Sequence, residues 1–187
     1  VFPTGCSLLL LCPARCRLCP FTTLVLSRGK FETGCSSAGS GVTVAANFAV
    51  AAVGTETSCS ITSPSSMNSV VVLKPTIGVL SRTGIVPISS TLDTPGPMTK
   101  NIVDNAIFFE AMLGHDIKDK SSATDDYTKK DFQNELFETK IKGKRFGVLK
   151  QFLNDSIYKA SIEKIKNAGG ILVELDPERA RFVGFTT

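Results

Sequence analysis

Near the end of the chain stand two short runs of strand-forming residues, "KRFGVLK" (144–150) and "ILVELD" (171–176). The stretch between them has helical spacing, with Asp155 as a candidate cap and Ile157, Ser161 and Ile165 on one side. Gly169 and Gly170 then break the helix before the second run. Strand, helix, strand in that order predicts a parallel crossover. A parallel pair needs a helix laid on its sheet, so the expected class is α/β.

Upstream, the same reading yields further elements. "VTVAANFAVAAVG" (42–54) is rich in Ala and Val, with small residues at helical spacing. It reads as a buried helix ended by Gly54. "SVVVLKPT" (69–76) and "GIVPIS" (84–89) read as strands. "DTPGPM" (93–98) reads as a connection, because its two prolines and glycine break regular structure. Thr99 is then a candidate cap for a helix to Leu113. Its expected buried face is Ile102, Val103, Ala106 and Ile107, and Gly114 closes it. The charged run Lys118–Lys130 reads as a solvated loop. Repeats are absent from the 187 residues.

Charge narrows the function classes. Twenty-one Lys and Arg against 17 Asp and Glu leave a net +4, and many of the lysines lie among acids. That is not the dense, one-sided basic cluster of a nucleic-acid binder, so no nucleic-acid partner is expected. The apolar run Leu8–Leu11 is far short of the ~20 residues of a membrane helix, so no membrane association is expected either.

Residues 1–26 share no pattern with the remainder and form a Cys-rich leader, with the domain expected over 27–187. Cys12, Cys16 and Cys19 have the spacing C-x3-C-x2-C, which resembles the cluster-binding fingerprint of radical SAM enzymes. Leu18 stands where that fingerprint carries an aromatic, and no barrel-like pattern follows. The preferred reading is no metal site and no cofactor.

Two hydroxyl-rich segments remain, "GCSSAGSG" (34–41) and "TETSCSITSP" (55–64). Ser36 and Ser60 lie at either end of the small-residue stretch, which can return the chain to one place. On residues alone, both segments read as Ser-rich turns as readily as a nucleophile beside backbone donors. The chain's one His, His115, follows a helix end, where its cation suits the dipole. A triad with Ser60 is conceivable but less economical.

Longer patterns decide between these. "GCSSAGSGVTVAANFAVAAVGTETSCSITSPSS", "VVVLKPT" and "SRTGIVPISSTLDTPGPMT" follow in order. Together they resemble the amidase signature family, nearest its peptide-amidase-like branch, strongly over Gly34–Asp116 and more weakly over about Leu24–Leu175. The resemblance implies a partial α/β amidase-signature fold, a mixed sheet covered by helices. It implies an amide hydrolase using Ser, cis-Ser and Lys through an acyl-enzyme, on a small-molecule or peptide amide. Ser60 matches the nucleophile and Ser36 the cis-serine that relays the proton. Thr57, Ser58, Cys59 and Ser60 match the oxyanion loop. A neutral lysine serves this family as the base, so one His is no obstacle.

The matching lysine would precede residue 1; Lys30 is too close to Ser36, and Lys74 is expected to be structural. The family favours Gly at Cys35, Cys59 and Val72, and Asp or Gly at Ser58, so strain from positive φ is expected at these positions. The alternatives are an inactive fragment or degenerate relative, and the ammonia-releasing component of an amidotransferase with tRNA-linked chemistry. Since the family's sheet needs more chain than this, missing segments or a partner chain are expected to complete it.

Overall fold

The computed structural model describes residues 32–123, 127, 130–138 and 140–175. The Cys-rich leader, with Cys12, Cys16 and Cys19, lies outside the described residues. The chain divides into two compact units, Val1–Phe137 and Glu138–Thr187.

The first unit holds α1 (Ala38–Ala45), β1 (Ala51–Glu56), α2 (Thr62–Met67), β2 (Val71–Val72), β3 (Thr94–Thr99), α3 (Ile102–Met112) and α4 (Phe132–Glu138), the last ending at the boundary between units. Its sheet is antiparallel in the order β1-β3-β2. The expected helix over 42–54 is therefore a helix followed by a strand. Asn47, at φ 64, turns the chain out of α1, and Gly54 sits inside β1 opposite Gly96.

A second correction concerns 93–98. The proline-rich segment is not a connection but the fully buried central strand. The carbonyl of Pro97 accepts from Leu73 N on the β2 side. Backbone direction alternates along a strand, so Pro95 and Pro97 both turn their missing N–H toward β2, which is only two residues long. The ladder to β1 then falls to Thr94, Gly96 and Met98, which have N–H groups. The expected strand 69–76 shrinks to Val71–Val72, and 84–89 is loop.

One side of this sheet is packed by a cluster of Val44, Ile61, Val70 and Met98. Ile61 fits because Gly54 and Gly96 present no side chains. A Cβ at Gly54 would lie 2.5 Å from Ile61 Cγ2, and one at Gly96 would lie 2.8 Å from Ile61 Cδ1. The second cluster joins Val79, Leu80 and Phe109, with Phe132 edge-on to Phe109 at 5.3 Å.

Helix α3 is capped by Asn101, whose side chain accepts from Asp104 N, rather than by Thr99. The Thr99 hydroxyl donates to Asn101 O instead. Its buried residues are Asn105, Ala106 and Phe109, while Ile102 and Ile107 are exposed, and it ends at Leu113 in an extended conformation without needing Gly114. Asn105 is inside because its amide donates to Pro97 O and Thr99 Oγ1. The sequence periodicity could not anticipate a buried amide.

The second unit matches its expectation closely. Strands β4 (Arg145–Leu149) and β5 (Ile171–Leu175) pair in parallel, joined through α5 (Ser156–Asn167). Asp155 caps α5 by accepting from Tyr158 N, and Gly169 takes φ 86 just beyond its end. Ile157, expected on a packed side, is exposed. Both units are α/β in character, with antiparallel pairing in one and parallel in the other.

Candidate active site

The two hydroxyl-rich segments flank the α1–β1 hairpin-like path and return to one another. Ser37 N donates to Ser60 O at 3.0 Å. The Ser37 hydroxyl does not cap α1; it donates to Thr55 O and accepts from Thr55 N, both at 3.1 Å. The residue after Ser36 is thus clipped both to β1 and to the turn that ends at Ser60. The peptide bond between Cys35 and Ser36 is cis. Just before it, Gly34 takes φ 72 against Pro64, whose backbone nitrogen would be 2.7 Å from a Cβ. A side chain there would collide with backbone, which cannot rotate away.

Thr57–Ser60 form bends and a turn between β1 and α2. Glu56, the last residue of β1, is 2% exposed. Its Oε2 accepts from Ile61 N, Thr62 N and the Thr62 hydroxyl, each at 2.9 Å. Its Oε1 meets Lys74 Nζ at 2.9 Å. This carboxylate substitutes for the cap of α2, which has no side-chain cap of its own. Lys74 is thereby tied into the structure, the role expected of it.

At the other end of the turn, the Thr57 hydroxyl donates to Asp93 Oδ1 at 2.5 Å. Ile88 N and Ser89 N donate to Asp93 Oδ2 at 2.8 Å. The Thr57 hydroxyl foremost, then these amides and the charge of Arg82, hold Asp93 below the usual carboxylate range despite its burial.

Thr57 and Ser60 share a recess with Glu56, Arg82, Ile85 and Ile88. A wider cavity of about 200 Å³ adjoins it through Arg82 and Asp93. Arg82 forms a two-pronged pair with Asp119, 3.0 Å from Nε and 2.8 Å from the terminal nitrogen, and donates to Ser90 O. Those bonds push Arg82 up and hold Asp119 far below an ordinary carboxyl. Asp116 is held at about 2, first by the hydroxyl of Ser81 and then by that of Thr83. The run from Lys118 is therefore not a purely solvated loop, since Asp119 is enclosed by its arginine.

Several expectations change here. None of Cys35, Ser58, Cys59 and Val72 has positive φ; among the described non-glycine residues only Asn47 and Ser69 do. The strain expected from replaced glycines is absent at these four. His115 is exposed, with Nδ1 3.2 Å from Ala123 O, and lines neither cavity. Ser36 and Ser58 are exposed, while Cys59 and Ser60 are half-buried. Sequence reasoning missed Glu56, Asp93 and Arg82, whose partners lie 4 to 37 positions away. A lone lysine in "VVVLKPT" was the one signal of a hidden acid. Among the described residues no group of His, Cys, Asp and Glu could hold a metal ion, and no helix is long and apolar enough to cross a membrane.

The model of the Amidase family matches residues 27–183. The A-type component of the glutamyl-tRNA(Gln) amidotransferase of Roseobacter denitrificans is 39% identical over 156 residues, covering 80% of this chain and 31% of that protein. The native peptide amidase of Stenotrophomonas maltophilia superposes with a TM-score of 0.69 at 38% identity, over 78% of this chain and 31% of that one. An amidase family protein from Bacillus anthracis gives 0.69 at 42% identity, with the same coverages. The chain spans less than a third of the length of these relatives. With a family match over most of its residues and the partial fold to go with it, the chain belongs to the amidase family.

Proposed function

We propose that this chain supplies the nucleophile and proton relay of an amide hydrolase acting on a carboxamide C–N bond. Ser60 Oγ attacks the carbonyl carbon, and the N–H groups of Thr57–Ser60 receive the negative charge that develops on its oxygen. Ser36 passes the Ser60 proton to a neutral lysine and returns it to the departing ammonia or amine. Water then cleaves the acyl-enzyme and releases the acid. Lys74 cannot be that lysine while its ammonium is paired with Glu56. The base is supplied from a further segment or a partner chain. The observation that carries the reading is the 3.0 Å bond from Ser37 N to Ser60 O, which holds the segments of the two serines together.

A second reading is the ammonia-releasing component of an amidotransferase, favoured by the 39% identity to that protein in Roseobacter denitrificans. The two readings share Ser60 and Ser36 and differ in where the ammonia goes. A fluorophosphonate probe, with the modified residue located by peptide mass spectrometry, tests what they share. The expected result is label at Ser60 that disappears in Ser60→Ala. With the lysine-bearing segment or partner chain present, a folded protein left unlabelled at Ser60 would overturn the assignment and favour a degenerate relative.

A further inference from the structure

The turn that ends at Ser60 is pinned at both ends by buried carboxylates. Glu56 grips the far end through Ile61 N and Thr62 N. Asp93, 8% exposed, grips the near end through the Thr57 hydroxyl. Between these grips lies the exposed Ser58. The two carboxylates differ in what else they hold. Glu56 reaches Lys74, on the far side of α2 in sequence. Asp93 instead holds the N–H groups of Ile88 and Ser89, in the loop that brings Ile85, Val86 and Ile88 to the recess beside Ser60. One side chain therefore sets the first residue of the turn and the apolar wall facing it.

We infer that Asp93 is a positioning residue for the proposed reaction, acting through Thr57 to aim the Thr57–Ser60 N–H groups and through Ile88 and Ser89 to hold the recess wall against them. The inference rests on Ser60 being the nucleophile. Donors around an oxyanion act through fixed direction, because a donor that must reorient during the reaction loses much of its effect. A hydroxyl bonded to an ionised carboxylate is a stronger restraint than a neutral pair. Thr57 has no β-carbon freedom to spare either, since its branched side chain restricts χ1.

The test is the rate of fluorophosphonate modification at Ser60, followed against probe concentration so that the limiting rate and the half-saturating concentration separate. The phosphonyl oxygen takes the place of the oxyanion. Thr57→Val, which removes the hydroxyl at nearly constant volume, is expected to lower the limiting rate about tenfold or more. The half-saturating concentration should hardly move. Thr57→Ser, which restores the hydroxyl, is expected to recover most of the rate, and Asp93→Asn to lower it as Thr57→Val does. Circular dichroism at the assay temperature identifies any variant that has not folded, and Asp93→Asn then stands in for Thr57→Val. Label on the wild type together with an unchanged rate in both variants would overturn the positioning role alone. So would an equal loss in Thr57→Ser, which keeps the hydroxyl. With the lysine-bearing segment or partner chain present, an unlabelled Ser60 in the folded wild type would overturn the nucleophile assignment, and this inference with it.

Discussion

Replacing Lys74 by methionine removes the cation facing Glu56 while keeping the length of an apolar stem. The two charges are 2.9 Å apart, and Glu56 is 2% exposed against 24% for Lys74. At the effective dielectric of such sites, their attraction is about 6 kcal/mol. Water reaching the lysine weakens it, and the lysine recovers its own hydration in the unfolded chain. The net loss in Lys74→Met is therefore about 3 kcal/mol, toward the low end for breaking a buried pair. Glu56→Gln tests the same bond from the other side. Its amide oxygen can still accept from Ile61 N, Thr62 N and the Thr62 hydroxyl. Its NH₂ must then face the ammonium, donor against donor. In Glu56→Gln/Lys74→Met that conflict vanishes, so the double variant should be more stable than the summed losses predict, by about 1–2 kcal/mol. Urea unfolding of the four proteins, with slopes compared to check that the denatured state is unchanged, supplies the cycle. Losses that add to within about 0.5 kcal/mol would refute the pairing as the source of stability.

Two further outcomes follow from packing. Alanine at Gly96 would set a Cβ 2.3 Å from the Leu73 carbonyl oxygen, whereas one at Gly114 meets nothing within 4 Å and no positive φ. Gly96→Ala should cost roughly 3 kcal/mol and Gly114→Ala gain a few tenths; equal thermal midpoints would contradict this. Ser65 is 2% exposed, and its hydroxyl has no hydrogen-bond partner. Ser65→Ala should be neutral or stabilising by about 1 kcal/mol in urea unfolding, and a loss of that size would mean the hydroxyl is satisfied after all.

What the sequence disclosed about the fold depended on how local the cause was. The crossover at 145–175 was legible because strand, cap, helix and glycine stop are each written in adjacent residues. The central strand was not, since Pro95 and Pro97 oppose strand formation locally. They are accommodated only because β2 is too short to need their N–H groups, which is a fact about another segment. The run 42–54 was misread for a similar reason. Ala and Val at these spacings suit either structure, and pairing with β3 converts the second half to strand. At the candidate site, the family pattern singled out Ser36 and the run Thr57–Ser60, and the structure brings their segments together through the Ser37 N to Ser60 O bond. Asp93 and Glu56 escaped notice because an acid beside a loop carries no local sign of the partner that it will bind.

The spacing of the prolines has a consequence for assembly. Were β3 to slide by one residue against β1, Pro95 and Pro97 would turn toward a six-residue partner that requires donors from them. Two rungs would be lost, and Gly96 would swing away from Ile61 to the opposite side of the sheet. The misaligned product would thus fail in hydrogen bonding and in packing at once. Ring nitrogens without protons act here as a key cut for one alignment. That alignment is the one in which Ile61, and the serine before it, has a seat.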